Sequence, residues 1–378
     1  MGACIRSVEA LRSNEASSPG RLSGSSLRVG LAGAGRFGAL HANVLAHLPD
    51  VQLAALADPD PLRLARVADR YGVAFRYDNA FDLIDAENLD AVILATPDDQ
   101  HAAQVRAAIH RRLPVFVEKP IASNWAEAMQ LKQLADEAGV LLQTGLILRY
   151  EASHRLLREQ IVAGCFGDLV SIRAQRNCSR SSYAAIADQV HTVHRTLIHD
   201  IDLLLWLSSS EVLSVMALEV RQGDHLAPLG CYALLHLASG CVAQLESSWT
   251  VPDQAPTTVI ADHWRTCIDA ELAVVGTERT ARLQALQTPL QIWTDREVQR
   301  PDLTLWPESG GQVFGALADQ LADFTRCLLR HEASLVADLT AAVEAMRIAE
   351  AIVAAGRHGG VVKLEPRCTS SSRGVMGC

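Results

Sequence analysis

A stretch of twelve residues, His191–Asp202, concentrates side chains that could do chemistry. Its sequence, "HTVHRTLIHDID", holds three histidines, one arginine and two aspartates. Such a set could bind a metal, transfer a proton or form the polar face of an ordinary helix. The metal hypothesis is weak, because His191 and His194 could pair across one helical turn but the sequence predicts no third ligand.

The longer segment "RTLIHDIDLLLWL" has the apolar spacing of a helix. On such a helix His199 would share one face with Arg195, four positions before it, and Asp202, three positions after it. Asp202 could then orient the His199 imidazole, while Arg195 could compete for Asp202 or face a substrate. A solvated helix face is the alternative, and other parts of the chain must decide between the two.

A lysine upstream lies where a ligand is expected. "PVFVEKPIA" places Glu118, Lys119 and Pro120 just past a predicted strand. In open parallel sheets ligands bind beyond the carboxyl ends of the strands, so Lys119 is expected to point into the ligand crevice. Pro120 restricts Lys119 to extended geometry. A lysine held there could donate to a substrate hydroxyl and stabilise negative charge on it, whereas a solvated surface lysine is the alternative.

The glycine pattern near the start predicts a dinucleotide site. "VGLAGAGRFGALHA" has G-x-G-x-x-G at Gly33, Gly35 and Gly38, between a strand and a helix, and Asp58 ends the next strand twenty positions after Gly38. The glycines would allow a tight turn, close approach of a pyrophosphate and close helix packing. Asp58 would accept hydrogen bonds from the adenosine ribose and repel a 2′-phosphate, which favours NAD. Arg36 keeps NADP open as an alternative.

The first half of the chain alternates strands and helices, which predicts a parallel sheet covered on both faces. Predicted strands span 27–33, 51–58, 90–97, 114–120 and 140–145, and predicted helices span 36–48, 61–72, the residues up to about 112, and 124–139. After about Glu151, strand-like runs separated by turn residues predict a mostly antiparallel sheet, followed by helices near 314–330 and 339–356. The expected fold class is α/β, a Rossmann domain followed by an α+β domain.

Size and composition agree with a two-domain globular protein. The 378 residues suffice for two domains, for which we expect the bounds 27–146 (dinucleotide binding) and 147–364 (substrate and oligomerisation), with extensions at 1–26 and 365–378. The net charge of −9 argues against a nucleic-acid partner. No apolar run approaches the roughly 20 residues of a membrane helix. The first residues lack a secretory signal, and nine cysteines without a C-x-x-C pair predict reduced thiols and a cytoplasmic location.

Several motifs occur together in the order of a known family. "GAGRFGALHA", "ALADPDP", "ATPDDQHAAQVRAAI", "VFVEKPIA", "LRY" and "HDIDLLLWL" resemble the Gfo/Idh/MocA oxidoreductases, the group of glucose–fructose oxidoreductase and inositol dehydrogenase. The resemblance runs from about Leu27 to Leu364. It implies a Rossmann domain, a C-terminal α+β domain whose open sheet often forms oligomers, and hydride transfer between NAD(P) and a carbon of a sugar, polyol or related compound.

The resemblance also implies roles for single residues. For the cofactor, it implies a pyrophosphate loop, a ribose contact and a crevice near the nicotinamide, formed by Gly33, Gly35, Arg36, Phe37, Gly38, Asp58, Thr96, Pro97, His101 and Glu118. For the reaction, it implies Lys119 at the substrate and His199 as the catalytic histidine, with Asp202 and Arg195 beside it. Candidate substrate contacts are Arg149, His194 and Arg195. No metal is expected.

One departure from the family pattern concerns Arg195. Many family dehydrogenases carry Asp one turn before the histidine, and often Gly two residues before it, where this chain has Leu197. A positive charge at Arg195 would favour the neutral, basic form of His199, whereas Asp would raise its pKa. Arg195 could also clamp a carboxylate with two hydrogen bonds. We therefore hypothesise an acidic sugar or another anionic hydroxy compound as substrate.

The sequence thus predicts an NAD(P)-dependent dehydrogenase of a sugar, polyol or sugar acid. His199 would remove the hydroxyl proton as hydride leaves the same carbon, and Lys119 would stabilise the oxygen. Two alternatives stay open: an NAD-assisted glycosidase, and a regulator that senses NAD without catalysis. The expected partners are a small-molecule substrate and further copies of the chain, with no nucleic acid and no membrane.

Overall fold

The computed structural model describes residues 26–85, 88–261, 264–285 and 290–365. Six strands form the first sheet: β1 (Leu27–Ala32), β2 (Val51–Ala57), β3 (Phe75–Tyr77), β4 (Ala91–Leu94), β5 (Val115–Val117) and β6 (Leu142–Thr144). All neighbouring pairs are parallel, in the order β3-β2-β1-β4-β5-β6. The strand order reverses between β1 and β4, which is where such sheets bind dinucleotides.

Helices connect these strands and cover both faces of the sheet. They are α1 (Arg36–His47), α2 (Pro61–Tyr71), α3 (Ala80–Asp85), α4 (His101–His110) and α5 (Trp125–Ala138). Local sequence explains their ends. The Asp60 carboxylate accepts from two N–H groups at the start of α2, and Gly72 ends the helix in the left-handed region, at φ 67°. Strand β3 and helix α3 are two elements that the sequence pattern did not predict.

A seven-stranded sheet forms the core of the second half. Its strands are β7 (Leu169–Ser179), β8 (Val212–Val220), β9 (Gly230–Leu237), β10 (Val242–Val251), β13 (Ile268–Gly276), β14 (Thr280–Ala285) and β19 (Val361–Lys363). The order is β14-β13-β7-β10-β9-β8-β19. Strands β7 and β10 are parallel and the other pairs antiparallel. The predicted fold class is therefore confirmed.

Smaller elements complete the second half. A four-stranded sheet contains β11 (Thr257–Ala261), β12 (Trp264–Thr266), β15 (Ile292–Trp293) and β16 (Val298–Pro301), and a hairpin pairs β17 (Glu308–Ser309) with β18 (Gln312–Val313). The helices are α6 (Ala152–Val162), α7 (Arg180–Ile186), α8 (Ile198–Ser208), α9 (Ala316–Arg330) and α10 (Leu339–His358). Short 3₁₀ segments span Asp98–Gln100 and Ile147–Tyr150, and a π-helical segment spans Val193–Leu197.

The last two helices pack back onto the first sheet and its helices. Phe324 of α9 meets Phe116 of β5 edge to face, with ring centroids 5.7 Å apart. The Trp125 N–H at the start of α5 donates to the Glu350 carboxylate of α10 at 2.6 Å. These two helices therefore connect the first sheet and its helices to the second half of the chain.

The cysteine prediction is only partly right. Five buried cysteines are free thiols: Cys178, Cys231, Cys241, Cys267 and Cys327. Cys165, however, is disulfide-bonded, so the expectation of reduced thiols was wrong for this residue. Across the described ranges, each helix is too short or too polar to cross a membrane. A cytoplasmic location and the domain bounds stay predictions.

Candidate active site

A cleft of about 480 Å³ lies between the first sheet and the second half of the chain. The Rossmann side contributes eight residues: Arg36, Phe37, Ala95, Thr96, Asp98, Glu118, Lys119 and Gly145. The opposite side contributes residues from β7, α7, the π-helical segment, α8 and β10, among them Arg176, Cys178, Arg195, His199 and Trp249. The structure therefore brings Lys119, Arg195 and His199 together, as the sequence predicted.

The glycine loop leaves room for a cofactor in front of α1. A side chain at Gly33, which has φ 99°, or at Gly38 would collide with backbone, because a Cβ would lie 2.3 Å from the Ala95 oxygen or 1.9 Å from the Gly33 oxygen. A Cβ at Gly35 would meet no atom within 4 Å. The space before the helix N-terminus is thus open, and the N–H groups there suit a pyrophosphate.

Asp58 lies at the end of β2 with its carboxylate fixed beside the loop. One oxygen accepts from the Ala34 N–H at 2.7 Å, and the other accepts from the Asp60 N–H at 2.8 Å. Arg63 forms an ion pair with Asp58 at 3.3 Å, a partner that the sequence reasoning missed. The oxygen that accepts from Ala34 has a second lone-pair site, so Asp58 keeps acceptor capacity for a ribose hydroxyl.

The residues predicted to lie near the nicotinamide occupy different places in the structure. Thr96 lines the cleft, whereas Pro97 lines a neighbouring cavity of about 940 Å³. The His101 ring is fully buried, with its nitrogens 2.7 Å from the Pro120 carbonyl oxygen and 2.9 Å from that of Thr96. Both ring nitrogens of His101 are therefore engaged, and His101 positions the two loops.

Lys119 crosses from the Rossmann domain to the opposite wall. Its ammonium donates to the Arg195 carbonyl at 3.2 Å, and the peptide bond to Pro120 is cis. Neighbouring Glu118 is held by the His41 ring at 2.8 Å. Burial, and secondly the positive charge of Arg195, lower the pKa of Lys119 to about 8. Lys119 thus changes charge close to physiological pH.

His199 follows directly on the π-helical segment. The segment's end is marked by the Ile198 N–H, which bonds to the Val193 carbonyl, five residues back. Such turns are frequent at functional sites, since they shift the register of the side chains that follow. The Nδ1 atom of His199 is buried and has no hydrogen-bond partner in the described part of the chain. Burial, and then Lys119, Arg176 and Arg195, place the pKa of His199 well below its ordinary value.

Arg176 is a site residue that the sequence did not reveal. It is buried, lines the cleft and forms a two-bond ion pair with Asp200 at 2.8 and 2.9 Å. The same side of the cleft also holds Cys178, whose thiol pKa is raised to about 11 by burial, and Trp249. These residues lie on β7 and β10, and only the strand pairing brings them to the helix.

The structure does not pair Asp202 with His199, so the geometry gives no support to the predicted role of Asp202. Asp202 is fully buried in a two-bond ion pair with Arg149, at 2.6 and 2.9 Å, and no hydrogen bond or ion pair joins it to His199. The π-helical turn and the distant Arg149 explain the difference, because α-helical spacing took no account of either. Arg149 also stacks over Trp206, 5.8 Å from the ring centroid, and it lines a separate surface cavity. The pair is thus buried away from the cleft that holds His199.

The other two histidines lie outside the cleft. His194 lines the neighbouring cavity together with Arg357 and Glu350. His191 is bonded to the buried Glu219 at 3.0 Å, and burial lowers its pKa to about 4. Within the described residues no group of three or more His, Cys, Asp or Glu side chains could hold a metal ion. The proposed substrate contact of His194 thus lacks support from the cleft geometry.

Two family models match most of this architecture. The model described as "Oxidoreductase family, NAD-binding Rossmann fold" matches residues 27–146. The model described as "GFO/IDH/MocA C-terminal domain" matches residues 154–282. Together they cover more than half of the chain, which therefore belongs to the Gfo/Idh/MocA oxidoreductase family, as predicted.

Relatives within this family are dehydrogenases. The inositol 2-dehydrogenase of Rubrobacter xylanophilus is 32% identical over 188 residues, 49% of this chain but only 53% of that protein. The inositol 2-dehydrogenase of Ralstonia nicotianae is 28% identical over 343 residues, 85% of this chain and 97% of that protein. The solved structure of myo-inositol 2-dehydrogenase from Lactobacillus plantarum has the same fold, with a TM-score of 0.77 at 24% identity over 90% of this chain and 100% of that one. The chain is thus similar to dehydrogenases and has the Rossmann domain of an NAD-binding oxidoreductase family.

Replacing Asp202 separates a structural role from a catalytic one. In Asp202→Asn, Arg149 would stay buried without its countercharge, so we expect a loss of roughly 3 kcal/mol in the free energy of unfolding. Chemical denaturation measures this loss. We expect the activity of folded Asp202→Asn to have the same pH dependence as that of the parent protein. Asp200→Asn is the contrasting variant, because Asp200 lies beside the cleft. If the pH dependence of activity changed while the free energy of unfolding did not, Asp202 would have a catalytic role.

Proposed function

We propose that this dehydrogenase oxidises a secondary hydroxyl group of a cyclic sugar, polyol or sugar acid, with Lys119 and His199 at the reacting hydroxyl. The observation that carries the proposal is the meeting of these two side chains in one cleft beside the glycine loop. Inositol 2-dehydrogenases among the relatives support the substrate class. NAD, when bound by the loop, supplies the hydride acceptor.

The residues of the chain provide the proton chemistry. His199 is neutral across the physiological range because its pKa is far below the ordinary value, so its free nitrogen can take the hydroxyl proton. Lys119, in its charged form, donates a hydrogen bond to the same oxygen as negative charge develops there. His199 lines the cleft together with Lys119, so a substrate hydroxyl bound there would lie within the reach of both side chains.

Removing either side chain tests the proposal. We expect NADH formation with at least one inositol, hexose or sugar acid, and a loss of about 100-fold or more in kcat for both Lys119→Met and His199→Asn, in line with general acid–base catalysis. Lys132→Met is the control and should keep full activity, because Lys132 is a partly exposed lysine on α5 that pairs with Asp136. Full activity in His199→Asn would reject the site, and glycoside cleavage without net NADH would point to the glycosidase alternative.

The pH dependence of kcat/KM follows from the two shifted groups. Lys119 has a lowered pKa of about 8, so its charged form is present below that pH and activity should fall as the pH rises through about 8. His199 should give no acidic decline near pH 6.5, since its pKa is lowered by burial and neighbouring cations. Lys119→Arg should move the alkaline decline upward, because arginine stays charged. An activity that rises through pH 8 would show that neutral Lys119 is the base.

We also propose that the open face of the second sheet joins copies of this chain. This open sheet face consists of Met216, Leu218, Tyr232, Leu234 and Val361, each between 40% and 68% exposed. Met216 is in register with Leu234 and Val361, and Leu218 with Tyr232, so the side chains form one continuous apolar surface. A continuous exposed apolar surface of this kind is typical of an interface between proteins. Two copies that packed this sheet face against each other would bury the apolar surface of both.

Charging this face should separate the copies. We expect Leu218→Glu to shift the mass measured by sedimentation equilibrium toward the monomer, because two like charges would face each other in a symmetric interface. Leu62→Glu is the control, since Leu62 is 81% exposed on α2 in the other domain. An unchanged mass in Leu218→Glu, or a monomeric parent, would exclude this interface.

A further inference from the structure

The wall of the cleft formed by the second half of the chain holds an unsatisfied hydrogen-bond donor. Trp249, on β10, is only 3% exposed and lines the cleft. Its indole Nε1 is buried and has no hydrogen-bond partner in the described ranges. An indole N–H can only donate, and a buried donor without a partner costs free energy. A ligand acceptor that reached this N–H from the cleft would remove that cost.

A free cation lies on the same wall. The guanidinium of Arg195 faces the cleft, and it makes no hydrogen bond or ion pair with any described residue. The other charged side chains near Arg195 each act on a group of opposite charge. Arg176 is paired with Asp200, Glu118 is held by His41, and the charge of Asp98 acts on Lys119 from the Rossmann side. Arg195 therefore gives this wall an excess of positive charge.

We infer that Trp249 and Arg195 form a subsite for a carboxylate of the substrate. The inference rests on the proposed dehydrogenase function and narrows its substrate to a hydroxy acid, such as a uronic acid or a cyclic polyol carboxylate. A carboxylate offers two oxygens with about four acceptor sites, which match the planar fork of Arg195 and the single donor of Trp249. A neutral hydroxyl in this place would leave the charge of Arg195 uncompensated.

A bound carboxylate would also act on the catalytic pair. Arg195 lowers the pKa of both Lys119 and His199. A negative charge beside Arg195 favours the charged form of nearby cations, so it raises both pKa values. The alkaline decline in kcat/KM should therefore lie at higher pH with an acidic substrate than with its neutral analogue. A residue that only shaped the cleft would not produce this difference.

Matched compounds test the subsite directly. The probes are D-glucuronate, D-glucuronamide and D-glucose, with D-galacturonate, D-galacturonamide and D-galactose as a second set and quinate with its amide as a third. Binding to the full-length protein in the presence of NADH is measured by calorimetry, and turnover by NADH formation from NAD. We expect at least one acid to bind and react roughly tenfold or more better than its amide, the lower range for a hydrogen bond to a charged group.

The variants assign that preference to residues. Arg195→Gln should weaken binding of the acid by roughly 10- to 100-fold, and Trp249→Phe should weaken it by roughly fivefold. Binding of the amide should change little in either variant. Arg173→Gln, on the exposed side of β7 where Arg173 pairs with Glu271, is the charge control and should behave as the parent. If Trp249→Phe fails to fold, the exposed Arg195 carries the test alone.

Each outcome has one meaning. Equal binding of acids and amides in all three sets, or an equal loss on both in Arg195→Gln, overturns the carboxylate subsite and leaves the dehydrogenase proposal standing. A preference for the acid that Arg195→Gln abolishes, without NADH formation from any compound, supports the subsite and overturns the dehydrogenase proposal. Stronger binding of D-glucose 6-phosphate than of D-glucuronate would assign the wall to a phosphate and overturn the hydroxy-acid assignment.

Discussion

The hydrogen bond from the Lys119 ammonium to the Arg195 carbonyl, 3.2 Å long, sets how the two halves of the site meet. It joins the end of a Rossmann strand to the π-helical segment that leads into His199. Three cationic side chains, Lys119, Arg176 and Arg195, consequently act on one buried imidazole. Their mutual repulsion costs free energy in a cleft of low dielectric, and of the three only Arg176 has a carboxylate partner among the described residues.

This concentration of positive charge defines what the cleft can do. Desolvation and neighbouring cations push the pKa of Lys119 down to about 8 and that of His199 further below its ordinary value. A neutral histidine is available as a base at any physiological pH, although a low pKa makes it a weaker base. A nearby ammonium offsets that weakness, because it stabilises the oxygen from which the proton leaves. The neutral base His199 and the hydrogen-bond donor Lys119 therefore depend on the same electrostatic arrangement.

Short motifs in the sequence predicted where the glycine loop and Lys119 lie in the fold. Gly33, Gly35 and Gly38 act through the backbone within one turn, and Lys119 is placed by the strand just before it, so the local pattern contains the needed information. The opposite wall depends on contacts between distant segments. Arg176 and Trp249 reach the cleft only through the pairing of β7 with β10, and no spacing within either strand announces it. Asp202 was misplaced because apolar periodicity detects neither a π-helical turn nor Arg149, which lies 53 positions away.

Arg195 links these two sides of the site. An acid at this position would lend its charge to the histidine and raise the pKa of the imidazole. Arginine reverses that effect and leaves the cleft short of negative charge. A carboxylate on the substrate, held by Arg195 and Trp249, would restore the missing charge when the substrate binds. The negative charge next to His199 would then arrive with the substrate. Base strength and substrate choice would in this way depend on the same residue, because both respond to the charge next to His199.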